Sequence, residues 1–264
     1  MNLIKTFFSS KLKPAKVGIA LSGGGVRGIA HLGVLKALNE KNIFPEIVSG
    51  VSAGALAGIF YCDGYLPDEI LDIFNKTSLF NFAKLTIPRK GFMSMKKVHE
   101  ILKNNIRAKT FSDLKIPFHV TTSNLSDGKV EYFSKGSIID KVIASASIPV
   151  LFKPVNINGN IYVDGGIFDN LPINPLKGKC DKIIASHVNP LGKEVDLDGI
   201  LDVAERTFHL AIASSVHENS KHCNLFIEPK DLINYSLLKL ENIDEIFQIG
   251  YDSTIKILKS NNDF

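Results

Sequence analysis

Two short apolar runs constrain this chain most, because each ends in glycine and each is followed by an apolar pattern of helical period. Residues 16–22 (KVGIALS) lead into Gly23, Gly24 and Gly25. From Gly28 to Asn42, the residues Ile29, Leu32, Leu35, Ala37 and Leu38 then recur at helical spacing. Pro45 breaks the chain. Residues 46–51 (EIVSGV) form a second apolar run, and residues 53–61 (AGALAGIFY) an alanine-rich helix with no polar face, which must be buried. Strand, helix, strand, helix with links this short implies parallel strands, since parallel neighbours need a crossover and both sheet faces then need cover. The expected fold class is α/β, a single three-layer domain with a mostly parallel central sheet and helices on both faces.

The rest of the chain fits that frame. Residues 67–115 read as helical but less regular. Within them, 78–97 sets Phe80, Phe82, Leu85, Ile87, Phe92 and Met93 among Lys84, Arg89, Lys90, Lys96 and Lys97, a pattern that suits a lid or a docking surface for a lipid interface; a helical cap packing its phenylalanines inward fits equally well. Strand signals at 118–122 and 129–133 flank Ser126-Asp127-Gly128 as a hairpin. A helix over 137–146 stops at Pro149. Strands follow at 160–163, ending in Asp164-Gly165-Gly166, and at 182–188. A helix near 199–218, a strand at 225–228 and a helix near 242–259 complete the pattern. With no linker rich in Gly, Ser or Pro, residues 16–264 read as one domain after an N-terminal extension over 1–15.

Composition excludes several classes. The 264 residues are 45% hydrophobic and 22% charged, ordinary for a globular chain. No apolar run approaches the roughly 18 residues that a spanning helix requires. Residues 1–15 carry Lys5, Lys11 and Lys13 with only Phe7 and Phe8 as an apolar patch, a poor signal peptide and a frayed terminus. Cys62, Cys180 and Cys223 are odd in number, scattered and without CxxC spacing. Neither a disulfide framework nor a zinc site is expected, and a reducing cytoplasm fits. A net charge of +4 helps peripheral docking on an anionic membrane face but is too small and dispersed for nucleic acid.

Three segments carry candidate chemistry. Gly50-Val51-Ser52-Ala53-Gly54 is G-x-S-x-G between a strand and a helix. There a serine hydroxyl is exposed at a helix N-terminus and the flanking glycines remove colliding side chains; the bland alternative is a helix N-cap serine. Gly23-Gly24-Gly25-Val26-Arg27-Gly28 leaves backbone amides free to face an anion. It also satisfies G-x-G-x-x-G, but a dinucleotide fold expects an acid at the end of the second strand. That strand ends in Gly50-Val51-Ser52, with Glu46 at its start, so an oxyanion hole fits better. Arg27 either holds the loop, meets a phosphate or pairs with a nearby carboxylate. Asp164-Gly165-Gly166 is a turn signal, here at a strand end where catalytic groups of α/β sheets gather. Among the histidines after Asp164, only His187 stands at a strand end; His209, His217 and His222 fall at helical spacing on one long helix.

Together and in this order, these motifs resemble the patatin-like phospholipases, in particular the family's small bacterial branch. Residues 16–42 (KVGIALSGGGVRGIAHLGVLKALNEKN), 47–58 (IVSGVSAGALAG) and 144–172 (ASASIPVLFKPVNINGNIYVDGGIFDNLP) carry the likeness. The resemblance implies a Ser-Asp dyad without histidine, in which Ser52 attacks an ester carbonyl and Asp164 takes its proton. It implies oxyanion contacts from the Gly23, Gly24, Gly25 and Ala53 amides, with Arg27, Gly28, Gly50, Gly54, Gly165 and Gly166 supporting. The implied substrate is a lipid ester, with no cofactor and no metal. Rival readings are an α/β-hydrolase using Ser52, an acid and His187, a lipid-binding or regulatory protein on the same fold, and a nucleotide-binding module resting on the glycine run alone.

Overall fold

A computed structural model describes residues 16–77, 95–192, 199–237 and 242–261. In chain order the elements are β1 (Val17–Leu21), α1 (Ala30–Glu40), β2 (Ile47–Val51), α2 (Ala53–Cys62), α3 (Pro67–Thr77), α4 (Lys96–Asn105), β3 (Phe118–Asn124), β4 (Lys129–Phe133), α5 (Ile139–Ser145), β5 (Val155–Ile157), β6 (Asn160–Asp164), β7 (Lys182–Ser186), α6 (Ile200–Ser220), β8 (Leu225–Ile227) and α7 (Ile243–Ser260). Among the described residues the strands form one eight-stranded sheet, ordered β5-β6-β3-β2-β1-β7-β8 with β4 also on β3.

The sheet is mixed. Pairings β1–β2, β1–β7, β2–β3 and β7–β8 are parallel, whereas β3–β4, β3–β6 and β5–β6 are antiparallel. The parallel half is the one that the sequence pattern announces, because its strands are separated by helices. Both faces are covered, as alternation along the central strands shows. Ile19, Leu21, Val48 and Ile184 point into a large core with α1, α2, α3 and α5. Ala20, Ile47, Ile183 and Ala185 point the other way, against Leu171, Ile173, Leu176 and Val216. The all-apolar α2 is buried at every residue.

The register of β3 positions the site. Thr121 of β3 pairs with Val51, the last residue of β2, and Thr122 pairs with Asp164, the last residue of β6. Tyr132 and Glu131 of β4 occupy the opposite edge at the same two positions. A strand residue has one ladder partner on each edge, so β6 continues along the edge where β2 stops. The two strands run head to head, and Ser52 and Asp164 come together at their junction.

Candidate active site

Ser52 joins β2 to α2 with φ 53° and ψ −122°, a left-handed conformation that side-chain-bearing residues rarely adopt and that costs on the order of 1–3 kcal/mol. Its surroundings hold it there. The Ser52 amide donates to Ser145 Oγ at 2.9 Å, and Ser145 Oγ donates to the Thr121 carbonyl at 2.6 Å. The Gly54 amide donates to the Ser22 carbonyl at 3.1 Å. A Cβ on Gly50 would lie 2.6 Å from the Gly54 carbonyl oxygen, and one on Gly54 would lie 2.3 Å from that of Leu21. Glycine is therefore required on both sides of the turn, which is the physical content of the G-x-S-x-G spacing.

Asp164 is 1% exposed, with the Ser52 hydroxyl near enough to favour its charged form. The Gly166 amide donates to its Oδ1 at 2.8 Å. Burial lifts its pKa to about 7, against the downward pull of the Ser52 hydroxyl and the Gly166 amide. Desolvation favours the protonated form and the hydrogen bonds favour the carboxylate; here desolvation wins. Gly165 is needed because a Cβ there would meet the Thr121 carbonyl oxygen at 2.4 Å.

The glycine loop follows β1 and lies against this pair. A Cβ on Gly23 would be 3.2 Å from Ser52 Cβ, and one on Gly28 would be 2.4 Å from Ala53 Cβ. Gly25 has φ 53°, and a Cβ there would lie 2.1 Å from the Leu237 carbonyl oxygen, to which the Val26 amide donates at 2.8 Å. Among the described residues, the amides of Gly23, Gly24, Gly25 and Ala53 make no hydrogen bond to a protein acceptor. They are the donors sequence reasoning puts at an oxyanion site. Arg27 reaches from the glycine loop to two later segments. Its Nε donates to the Tyr235 carbonyl at 2.7 Å, and its Nη1 donates to Asn189 Oδ1 at 2.9 Å.

His187 is not brought to Ser52. Its Nδ1 contacts Glu228 Oε1 at 3.0 Å and its ring stacks on Phe226. Burial, then the nearby Lys230 and Arg27 cations, lower its pKa to about 3. His209 and His217 lie on α6, whereas His222 falls in the turn beyond it, a correction to the expected single helix. The 78–97 pattern lies outside the described residues over 78–94.

Three residues at the site carry no sequence signal of their own. His31 bridges the ends of β1 and β7, with Nδ1 2.8 Å from Ser186 Oγ and Nε2 2.8 Å from the Ser22 carbonyl. Burial lowers its pKa to about 4, so it sits neutral. Ser145 pins the elbow as described. Asn170, 1% exposed, packs its carboxamide against Gly23, where a Cβ would lie 2.5 Å from its Oδ1 and 3.2 Å from Ser52 Cβ. Only its place just after Asp164-Gly165-Gly166 could have marked it.

Comparison with known proteins adds the relationship. The chain is 32% identical over 276 residues to Lysophospholipase nte1 of Emericella nidulans, and 25% identical over 271 residues to Lysophospholipase NTE1 of Kluyveromyces lactis. In each case 89% of this chain matches 18% of the relative, so the chain spans under a fifth of these relatives' length. VipD from Legionella pneumophila has the same fold, with a TM-score of 0.55 at 18% identity over 94% of this chain and 67% of that one. The family model for patatin-like phospholipase matches residues 19–177, a stretch that contains the glycine loop, the Ser52 elbow and Asp164. With more than half of its length matched in this way, the chain belongs to the patatin-like phospholipase family.

Proposed function

We propose that residues 16–264 form one serine acyl-hydrolase unit that cleaves carboxylic ester bonds of lipids such as phospholipids or lysophospholipids, through a Ser52–Asp164 dyad and an acyl-enzyme. The observation that carries this reading is the meeting of Ser52 with a buried Asp164 where β2 and β6 run head to head on β3, the Asp164 pKa being lifted to about 7 by that burial. An aspartate at its ordinary pKa is a feeble base toward a hydroxyl; one near the working pH is a competent one. In the first step Ser52 Oγ attacks the ester carbonyl while Asp164 takes the hydroxyl proton. The carbonyl oxygen becomes an oxyanion facing the unclaimed amides of the glycine loop and Ala53, at the positive end of α2. Collapse of the tetrahedral intermediate breaks the bond to the alcohol, which leaves with the proton from Asp164. Water then attacks the acyl-enzyme with Asp164 again as base, and Ser52 is regained with its proton.

The relatives' description as lysophospholipases supports a single-chain lipid ester as substrate. The net charge of +4 supports peripheral contact with an anionic membrane surface; among the described residues no helix is long and apolar enough to cross one.

Hydrolysis of a short-chain p-nitrophenyl ester tests the reading. The wild type should release a burst of about one p-nitrophenol per chain if deacylation is slow, and should release fatty acid from lysophospholipid. Failure to turn over either substrate would contradict it. The pH profile tests the base. Because Asp164 must be ionised to act, kcat/KM should rise about tenfold per pH unit below about pH 7 and level off above it. A midpoint near pH 4, or a flat profile, would remove Asp164 from that role.

A further inference from the structure

A cavity of about 330 Å³ lies beyond the C-terminal ends of β7 and β8, under α6, at the sheet edge where α/β folds gather ligands. Its apolar lining includes Ile212 and Val216 of α6, and its polar lining includes His187, Asn189, His209, Glu228 and Lys230, with His217 and Ser220 at the end of α6. Ser52 is not among the lining residues, and the proposed mechanism uses none of these polar groups. Arg27 reaches from the glycine loop to Asn189 Oδ1 and so links the two regions.

The polar groups form a specific set of donors and acceptors. His209 Nε2 is buried and has no hydrogen-bond partner among the described residues, a costly state for a polar atom that a ligand would relieve. Asn189 gives its Oδ1 to Arg27, leaving its Nδ2 hydrogens for the cavity. Glu228 accepts from His187 Nδ1 and pairs with Lys230, so its charge is matched locally. His187 is neutral, and a neutral ring facing a carboxylate through Nδ1 carries its proton there, leaving a lone pair on Nε2. Burial first, then the Arg27 and Arg206 guanidiniums, keep His209 neutral as well, with its pKa lowered to about 3.

We propose that this cavity binds a phosphate monoester group, with His209 Nε2, Asn189 Nδ2 and the Lys230 ammonium donating to the phosphoryl oxygens and His187 Nε2 accepting its residual proton. A phosphate monoester has its second pKa near 6, so close to neutral pH it can retain one proton and donate it in a hydrogen bond. A phosphodiester or a carboxylate has no proton to give, so either would leave His187 Nε2 unsatisfied. The apolar residues on α6 accommodate the carbon skeleton. The group belongs either to the headgroup of a single-chain lipid or to free phosphate.

Calorimetric titration of full-length Ser52→Ala protein at pH 7 tests this without turnover, so that absence of hydrolysis in the wild type and absence of binding here are separate results. Inorganic phosphate and glycerol 3-phosphate should bind saturably, at least about tenfold more tightly than glycerophosphocholine or acetate. Tighter binding of glycerol 3-phosphate than of phosphate identifies the lipid headgroup as the source, and equal binding identifies free phosphate. His209→Phe should weaken binding about tenfold or more. So should Lys230→Ala, an exposed position whose loss does not endanger folding. In ring-proton NMR the His209 pKa should rise on saturation, because a bound anion favours the imidazolium. No saturable binding, equal affinity for the diester, or unchanged affinity in Lys230→Ala would overturn the proposal.

Discussion

Asp164→Asn is expected to reduce ester hydrolysis by about 10³-fold or more, to within a small factor of Ser52→Ala, while leaving the fold intact. The asparagine Oδ1 still accepts from the Gly166 amide that reaches Asp164 at 2.8 Å, so local geometry survives and only the base is lost. General-base removal typically costs about 10²–10⁴-fold. Members of one catalytic unit are not additive, so the double variant should be little worse than either single one. His187→Gln, by contrast, should retain most activity, because its partner is Glu228. Asp164→Asn should also make the protein more stable above pH 4. A carboxyl whose folded pKa is raised from 3.8 to about 7 binds its proton more tightly in the folded state. Stability is therefore greatest below the unfolded pKa and falls as pH rises from about 4 to about 7, by up to about 4 kcal/mol. Asparagine carries no such penalty. At pH 8 the variant should melt at a higher temperature than the wild type, and at pH 4 the difference should vanish. An active Asp164→Asn protein, or one destabilised at pH 8, would contradict this assignment.

Gly54→Ala is expected to damage both stability and rate, although it adds only a single methyl group. The added Cβ would lie 2.3 Å from the Leu21 carbonyl oxygen and 2.6 Å from that of Ser22. Both are backbone atoms of β1 and its exit, which cannot rotate away. The N-terminus of α2 must retreat from the sheet, breaking the Gly54 amide bond to Ser22 and moving Ser52 away from Asp164. Overpacking of this kind costs about 1–3 kcal/mol, occasionally more. A displacement of the nucleophile by about 1 Å costs on the order of 10²-fold in rate. Denaturant melts and kcat measured on the same preparation check both effects. A Gly54→Ala protein with wild-type kcat would show that the elbow tolerates a wider turn than the carbonyl contacts allow.

Much of this fold was legible because its period changes with its elements. The apolar runs at β1 and β2, the all-apolar α2 and the amphipathic α7 each announce themselves without reference to neighbours. What stayed hidden depends on pairing. Nothing in residues 160–164 states that β6 runs antiparallel beside β3, and β5, three half-exposed residues, is too short to show alternation. The head-to-head meeting of β2 and β6 was hidden for the same reason. It can be seen only once β3 supplies a common edge for both.

The candidate site follows the same division. Ser52 and the glycine loop lie in motifs whose backbone demands are written locally, at Gly25, Gly50 and Gly54. Asp164 sits in a common turn dipeptide, and its selection rested on resemblance, since neither its burial nor its contact with Ser52 has a local signature. His31, Ser145 and Asn170 act through partners far away in the chain, and residues of these types are more often found elsewhere than at a site. Arg27 stands inside the glycine motif, but its partners at 189 and 235 lie in segments with no motif.

The central claim, that Ser52 is the nucleophile activated at this junction, is tested most directly by mapping the adduct of a fluorophosphonate probe by peptide mass spectrometry. The account predicts one adduct per chain, on Ser52, absent in Ser52→Ala and formed far more slowly in Asp164→Asn. An adduct on another serine, or labelling of Ser52 at the same rate without Asp164, would contradict it.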